Sequence, residues 1–124
     1  MITIDEVEVM LDEIAGEFPE VFFRDLNGGI LLLPDAKYHP EGRADDLYIM
    51  GEYHNNRNMG RYIIIYYGSF ERVYGHLPAE ILRDKLKKVL THEFTHHMEH
   101  LAGERGLERK DTRNIERYKR NQFN

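Results

Sequence analysis

Residues 89–97 read Val-Leu-Thr-His-Glu-Phe-Thr-His-His and contain the pattern His-Glu-x-x-His. On a helix, residues four apart lie one above the other, with Cβ atoms about 5–6 Å apart. Two imidazoles so placed, those of His92 and His96, can bind one zinc ion at Zn–N distances of about 2.0–2.1 Å. Glu93 would lie beside the metal, where it can accept a proton from a zinc-bound water. The pattern therefore predicts two metal ligands, His92 and His96, and one general base, Glu93.

The residues around the pattern favour the helix that this geometry requires. Pro78 suits a first helical position because its ring presets φ, and residues 79–102 contain neither Gly nor Pro. Apolar residues recur there at helical spacing and predict one buried stripe, formed by Ile81, Leu82, Leu86, Val89, Leu90, Phe94, Met98 and Leu101. His92, His96 and Glu99 lie along one border of that stripe. Metal ligands are expected at such a border, partly buried and open to a cleft.

Composition limits the class of protein and of metal site. The 124 residues predict a single domain, residues 1–124, and the content of 41% hydrophobic and 31% charged residues is that of a soluble globular protein. There is no cysteine, so any zinc must be held by His and carboxylate groups. No secretory signal and no apolar run of membrane-spanning length is visible. We therefore expect a cytoplasmic monomer that does not contact a membrane.

The C-terminal segment is rich in basic residues, which could indicate binding to nucleic acid. These residues are Arg105, Arg109, Lys110, Arg113, Arg117, Lys119 and Arg120. Acidic residues are interleaved with them at helical spacings that pair charges locally, namely Glu104, Glu108, Asp111 and Glu116. A solvated helix face explains this pattern better, and we expect no nucleic-acid partner.

The rest of the sequence predicts a small sheet between helices. Thr3 and Glu6 have the spacing of a capping box at the start of an amphipathic helix, and residues 18–23 suggest a second, short helical turn. Three strands are expected, at residues 30–33, 47–53 and 61–67. The loop at residues 54–60 joins the last two strands as a hairpin, and residues 111–118 predict a final helix. This order predicts an α+β domain whose small twisted sheet packs on the long motif helix, with helices at both termini.

The order of hairpin, connecting segment and motif helix resembles the minimal zincin-like metallopeptidases, small bacterial proteins with little beyond a catalytic core. The resemblance covers residues 47–102 well and the N-terminal helix more loosely. Its most specific part is the motif with a doubled second histidine, His96-His97. It implies a zincin-like fold, one Zn²⁺ ion, His92 and His96 as its ligands, Glu93 as the base, and a peptide or protein as the substrate.

The chain departs from the family pattern at the third metal ligand. The family places Gly three residues after the second ligand histidine and Asp three residues later, where this chain has Glu99 and Ala102. Ala cannot bind zinc. We expect the helix to end at Gly103, one turn later than in the family; a shift by that turn, plus about two residues of returning chain, leads to Glu108. Glu108 is therefore the predicted third ligand. The alternatives are Asp111, Glu104 and Glu99.

The remaining histidines and tyrosines form no further pattern of metal ligands. We expect His97 in the core, hydrogen-bonded to the backbone, and His100 at the surface of the helix end. The other histidines fall in predicted loops, namely His39, His54 and His76. The tyrosines of the third strand are expected to pack in the sheet, although one of Tyr62, Tyr66 and Tyr67, or Tyr118, could donate a hydrogen bond to an oxyanion.

The function implied is hydrolysis of a peptide bond by a zinc-activated water, with Glu93 as the general base that returns the proton to the leaving amine. The substrate is expected to lie extended along an exposed edge strand, for which residues 61–67 are the candidate. Two alternatives are a zinc-binding but catalytically inactive interaction module and a purely structural role, in which the histidine cluster packs and caps.

Overall fold

The computed structural model describes residues 2–40 and 47–105. Its helices are α1 (Ile4–Ala15), a single 3₁₀ turn (Glu20–Phe23), α2 (Tyr67–Tyr74) and α3 (Ala79–Arg105). Its strands are β1 (Gly29–Leu33), β2 (Lys37–Tyr38), β3 (Tyr48–Ile49), β4 (Gly51–Asn56) and β5 (Gly60–Tyr66). The predicted α+β class is confirmed. The predicted C-terminal helix and two candidate ligands, Glu108 and Asp111, lie outside the described residues.

The main sheet has three strands in the order β1-β5-β4. β5 pairs with β1 in parallel, Ile30 opposite Ile63, and with β4 in antiparallel fashion, Tyr53 opposite Ile63. The prediction that residues 61–67 form an exposed edge strand was therefore wrong. The run Tyr-Ile-Ile-Ile-Tyr at residues 62–66 is apolar toward both faces, which is typical of a strand with neighbours on both sides. β2 and β3 form a separate antiparallel ribbon.

The hairpin differs from its predicted boundaries. The strand expected at residues 47–53 is divided at Met50 into β3 and β4, and β4 continues to Asn56. His54, predicted in a loop, consequently lies in a strand. The side-chain oxygen of Asn56 accepts hydrogen bonds from the backbone N–H groups of Asn58 and Met59, at 3.0 and 2.6 Å, and so closes the turn. Gly60 follows with φ of 76°, a left-handed conformation that glycine adopts without steric cost.

The N-terminal helix is confirmed as predicted. The Thr3 hydroxyl accepts a hydrogen bond from the Glu6 backbone N–H, and the Glu6 carboxylate accepts one from the Thr3 backbone N–H. Both donors would otherwise be unsatisfied at a helix start. The helix buries Val7, Leu11 and Ile14 in the core.

The motif helix α3 is longer than expected. The Pro78 carbonyl accepts from the Leu82 N–H at 3.0 Å, so Pro78 precedes the first helical residue. The predicted end at Gly103 was wrong, because α3 continues to Arg105 and Gly103 does not adopt positive φ. One interior glycine costs only about 1 kcal/mol relative to alanine. Glu108 was predicted as a ligand on the assumption that the helix ends at Gly103. That assumption was wrong, and Glu108 itself stays an untested prediction.

The core lies between α3 and the sheet. The buried residues of the predicted stripe are Leu82, Leu86, Leu90, Phe94, Met98 and Leu101, whereas Ile81 is 43% exposed. Gly51 of β4 is close to this helix, since a Cβ atom built on it would lie 2.8 Å from Val89 Cγ1. β4 thus runs beside the turns of α3 that carry the motif. Among the described helices, none offers an apolar stretch long enough to cross a membrane.

Candidate metal centre

His92 and His96 form a preorganised pair on the exposed side of α3. Their rings meet edge to face with centroids 4.5 Å apart, and the two Nε2 atoms are 3.0 Å apart. Two nitrogens bound to one tetrahedral zinc at 2.0–2.1 Å are about 3.3 Å apart. The pair therefore needs only a small adjustment to bind a metal. In two neutral imidazoles at this distance, one N–H proton lies between the two Nε2 atoms. A metal ion would replace that proton.

Glu93 lies beside the pair but is buried, with 5% of its surface exposed. One of its carboxylate oxygens lies within 4.8 Å of a ring nitrogen of each histidine. Burial raises the pKa of Glu93 to about 7, and the negative charge of Glu52 adds to the effect. No residue of the described chain donates a hydrogen bond to this carboxyl group. A carboxyl group with such a pKa can both accept and release a proton near neutral pH.

The two inner positions of the motif hold its outer residues in place. Phe94 is fully buried, and its ring lies 4.9, 5.7 and 5.0 Å from the rings of Phe18, Phe22 and Phe23. Thr95 is buried as well, and its hydroxyl donates to the Thr91 carbonyl at 2.8 Å. Because these side chains face the core, the helix presents His92 and His96 outward.

His97 is a core histidine, as predicted. Its Nε2 lies 2.7 Å from the Arg24 carbonyl oxygen and its Nδ1 lies 2.8 Å from the Tyr53 hydroxyl. A carbonyl can only accept, so Nε2 carries the proton and Nδ1 accepts from Tyr53. Burial lowers the pKa of His97 and favours this neutral form. The ring thereby ties α3 to β4 and to the chain after the 3₁₀ turn.

Two hollows meet at Glu93, between β4 and α3, and we call them together the cleft. The first is lined by Met50, Gly51, Lys88, Val89, His92 and Glu93. The second is lined by Glu52, Tyr53, His54, Glu93, His96 and His100. The first has a largely apolar wall, and the second is lined by imidazole and carboxylate groups. The general base predicted from the motif therefore lies at the centre of the cleft.

Glu52 is the centre of a polar cluster at the second hollow. One carboxylate oxygen pairs with Lys37 Nζ at 2.6 Å, and the other accepts from the Tyr66 hydroxyl at 2.5 Å and lies 3.1 Å from His54 Nε2. Burial alone would raise the pKa of Glu52, but hydrogen bonds from Lys37, Tyr66 and His54 outweigh it and lower that pKa to about 2. Glu52 is therefore an anion near Glu93.

The sequence analysis did not predict that Glu52 and His54 lie near the motif, because about forty residues separate them from His92. The one available signal was local. Two residues apart on a strand, Glu52 and His54 project from the same face. Such a polar pair is unusual beside a strand as apolar as β5.

The other candidate residues lie outside the group formed by His92, Glu93 and His96. His100 is half-buried, and its Nε2 lies 3.1 Å from the Asn55 side-chain amide nitrogen. Tyr62 and Tyr66 are buried in the sheet, as predicted. Tyr67 was expected in the sheet as well, but it is the first residue of α2, and its hydroxyl donates to the Ile2 carbonyl. Glu99 is exposed, Glu104 is in the last turn of α3, and Glu108, Asp111 and Tyr118 lie outside the described residues. Within residues 2–40 and 47–105, the compact metal-binding group contains His92, Glu93 and His96 alone.

The raised pKa of Glu93 predicts a pH effect on the metal-free protein. The folded state holds the proton up to about pH 7, whereas the unfolded state releases it near 4.5. The stability that Glu93 contributes is therefore complete below pH 4.5 and lost as the pH rises to 7, by about 3 kcal/mol. Urea unfolding of the metal-free parent and of Glu93→Gln should show the parent losing stability relative to the variant over this range. A difference that does not change with pH would contradict the assignment.

No family model matches the chain, and a search of curated proteins finds no match. Among solved structures, the chain is similar to a conserved hypothetical protein, TTHA0227, from Thermo thermophilus. The two are 30% identical with a TM-score of 0.71, over 82% of this chain and 98% of that one. With that identity across almost the whole of its relative, the chain belongs to the same family as this conserved hypothetical protein.

Proposed function

We propose that this protein is a zinc-dependent metallopeptidase with a zincin-like arrangement of β4 beside α3. One observation carries the proposal: the Nε2 atoms of His92 and His96 are 3.0 Å apart, next to the buried carboxyl group of Glu93. A helix face with this arrangement suits metal-assisted hydrolysis better than packing, because both imidazoles are exposed and the carboxyl group is not.

His92 and His96 would hold the zinc ion, since neutral imidazole is one of its preferred ligands. When bound, zinc supplies a positive charge that polarises a carbonyl group and lowers the pKa of water. Glu93 accepts the proton of the attacking water and later donates it to the leaving amine. Its pKa of about 7 suits both steps.

The substrate is proposed to lie along β4 rather than along β5. β4 is the outer strand of the three-stranded sheet, and in the described chain only β5 pairs with it. An extended peptide can add to such an edge by main-chain hydrogen bonds. It would then pass over both hollows of the cleft and bring one peptide bond next to Glu93.

A zinc-binding but catalytically inactive interaction module is the second candidate. It is favoured because, with Glu93 as the base, the metal-binding group of the described residues supplies two histidine ligands, one fewer than a catalytic zinc site usually has. Structural zinc sites have four protein ligands and catalytic sites three, with an open position for water. Stoichiometric zinc without cleavage of any peptide library would support this candidate.

Zinc content tests the metal site itself. We expect the purified parent, loaded with zinc and freed of excess metal, to retain about one ion per chain by mass spectrometry. His96→Ala should weaken zinc binding by more than about 100-fold in a chelator competition, since even the loss of a residue that only supports a ligand costs 10–100-fold. The matched control is His76→Ala, in the exposed turn before α3.

Equal zinc affinity in the parent, His96→Ala and His76→Ala would reject the site. If none of the three proteins retained zinc, the result would indicate the structural role, in which the histidines only pack and cap.

A further inference from the structure

His54 is held on the wall of the second hollow, which also contains Glu93 and His96. It lies directly opposite Tyr62 on β5, and the two rings stack with centroids 5.1 Å apart and planes 12° from parallel. The side chain is 38% exposed. One face of the imidazole is therefore fixed by Tyr62, while part of the ring stays open to the cleft.

Glu52 fixes which nitrogen of His54 carries the proton. Its carboxylate is an anion held by Lys37 and Tyr66, and an anionic carboxylate can only accept hydrogen bonds. His54 Nε2, 3.1 Å from this carboxylate, must therefore donate. In the neutral ring, Nδ1 is then left with a lone pair, and none of the described residues hydrogen-bonds it.

We propose that His54 is a specificity-determining residue, whose Nδ1 accepts a hydrogen bond from a main-chain N–H of the peptide bound in the cleft. Glu52 is the positioning residue, because it sets the tautomer that leaves Nδ1 an acceptor. The inference rests on the proposed peptidase function and names its substrate class: peptides with a free amide N–H at the position opposite His54.

Two consequences follow for the substrate. Proline or an N-methylated residue at that position has no N–H to donate, and it would leave Nδ1 without a partner. An acceptor left unsatisfied in a desolvated contact lowers binding roughly 10- to 100-fold. A position that makes no contact with a nitrogen acceptor would tolerate N-methylation better.

The tautomer is tested first, on the metal-free protein. Imidazole nitrogen shifts in an NMR experiment should show His54 protonated at Nε2 and not at Nδ1 in its neutral form. Replacing Glu52 with Ala should weaken that preference to the mixture of tautomers found in free histidine, while the shifts of His76, which lines neither hollow of the cleft, stay unchanged. A proton on Nδ1 in the neutral parent would overturn the proposal, whatever the protein's activity.

Peptide selection is tested by an N-methyl scan. A peptide that binds zinc-loaded Glu93→Gln and its analogues, each methylated at one amide nitrogen, are titrated calorimetrically into that variant, and kcat/KM is measured for each with the parent. One position should be penalised roughly 10- to 100-fold and should lose that penalty, to within about threefold, when His54→Phe is added. Phe keeps the ring that stacks on Tyr62 and removes both nitrogens. His54→Gln serves as the second variant, and His76→Phe is the control.

The outcomes separate the two proposals. If every N-methyl penalty persists in both His54 variants, His54 does not read the substrate, and the peptidase function stands. If peptides bind in the expected pattern but are never cleaved, the peptidase function fails and the role of His54 in recognition stands. If no peptide binds the zinc-loaded protein, both proposals are wrong.

Discussion

Replacing Glu93 with Gln is expected to leave zinc binding intact and to lower peptide hydrolysis about 10²- to 10⁴-fold, the usual contribution of a general base. The reason lies in its position. Glu93 supplies neither of the two imidazole ligands, yet its buried carboxyl group lies within 4.8 Å of both rings. Gln has the same shape and cannot accept the proton of the attacking water. The two imidazoles proposed to hold the metal stay in place.

The measurement is kcat and KM on one cleaved peptide, with the zinc content of each sample determined in parallel. Because the proton transfer belongs to the reaction and not to binding, we expect kcat to fall and KM to change little. Glu80→Gln, an exposed carboxylate in the first turn of α3, is the matched control. A zinc-loaded Glu93→Gln as active as the parent would remove Glu93 from the mechanism.

Replacing Phe94 with Ala is expected to lower the free energy of unfolding by about 3–5 kcal/mol, the range for large-to-small changes of buried aromatic residues. Phe94 has no exposed surface and contacts the rings of Phe18, Phe22 and Phe23. The substitution leaves a cavity where four aromatic side chains meet. It also removes core contacts from the helix turn that carries His92 and His96.

Urea unfolding monitored by circular dichroism checks this effect. Ile81→Ala is the control on the same helix, since that side chain is 43% exposed and its loss should cost about 0.5 kcal/mol or less. A stability of Phe94→Ala within about 1 kcal/mol of the parent would mean that the aromatic cluster does not anchor the motif. An equal loss in both variants would mean that the burial of Phe94 adds nothing to the stability of α3.

Features set by local spacing were predictable from the sequence. The His-Glu-x-x-His pattern places His92 and His96 one turn apart on any helix, and the structure shows their nitrogens in contact. The capping box of Thr3 and Glu6 depends on residues three apart, and it forms as predicted. His97 was predicted in the core with a hydrogen bond to the backbone, and it is found there, bonded to the Arg24 carbonyl.

Features set by pairing between distant segments were not predictable in the same way. No local pattern shows that β1 joins β5 in parallel, and that pairing is what moves β5 to the centre and leaves β4 at the edge. The polar cluster of Glu52 needs Lys37 and Tyr66 from two other strands. The helix end predicted at Gly103 was wrong because the packing of α3 on the core outweighs the low helix propensity of a single glycine.

The adjacent histidines 96 and 97 have a consequence for the thermodynamics of the proposed metal binding. One points outward to His92, and the other points inward, where both of its ring nitrogens are hydrogen-bonded to groups on other segments. Rotation of α3 about its own axis would break both inner bonds at once. The direction in which His92 and His96 project from α3 is thus fixed when the chain folds. Little orientational entropy would then be lost on metal binding.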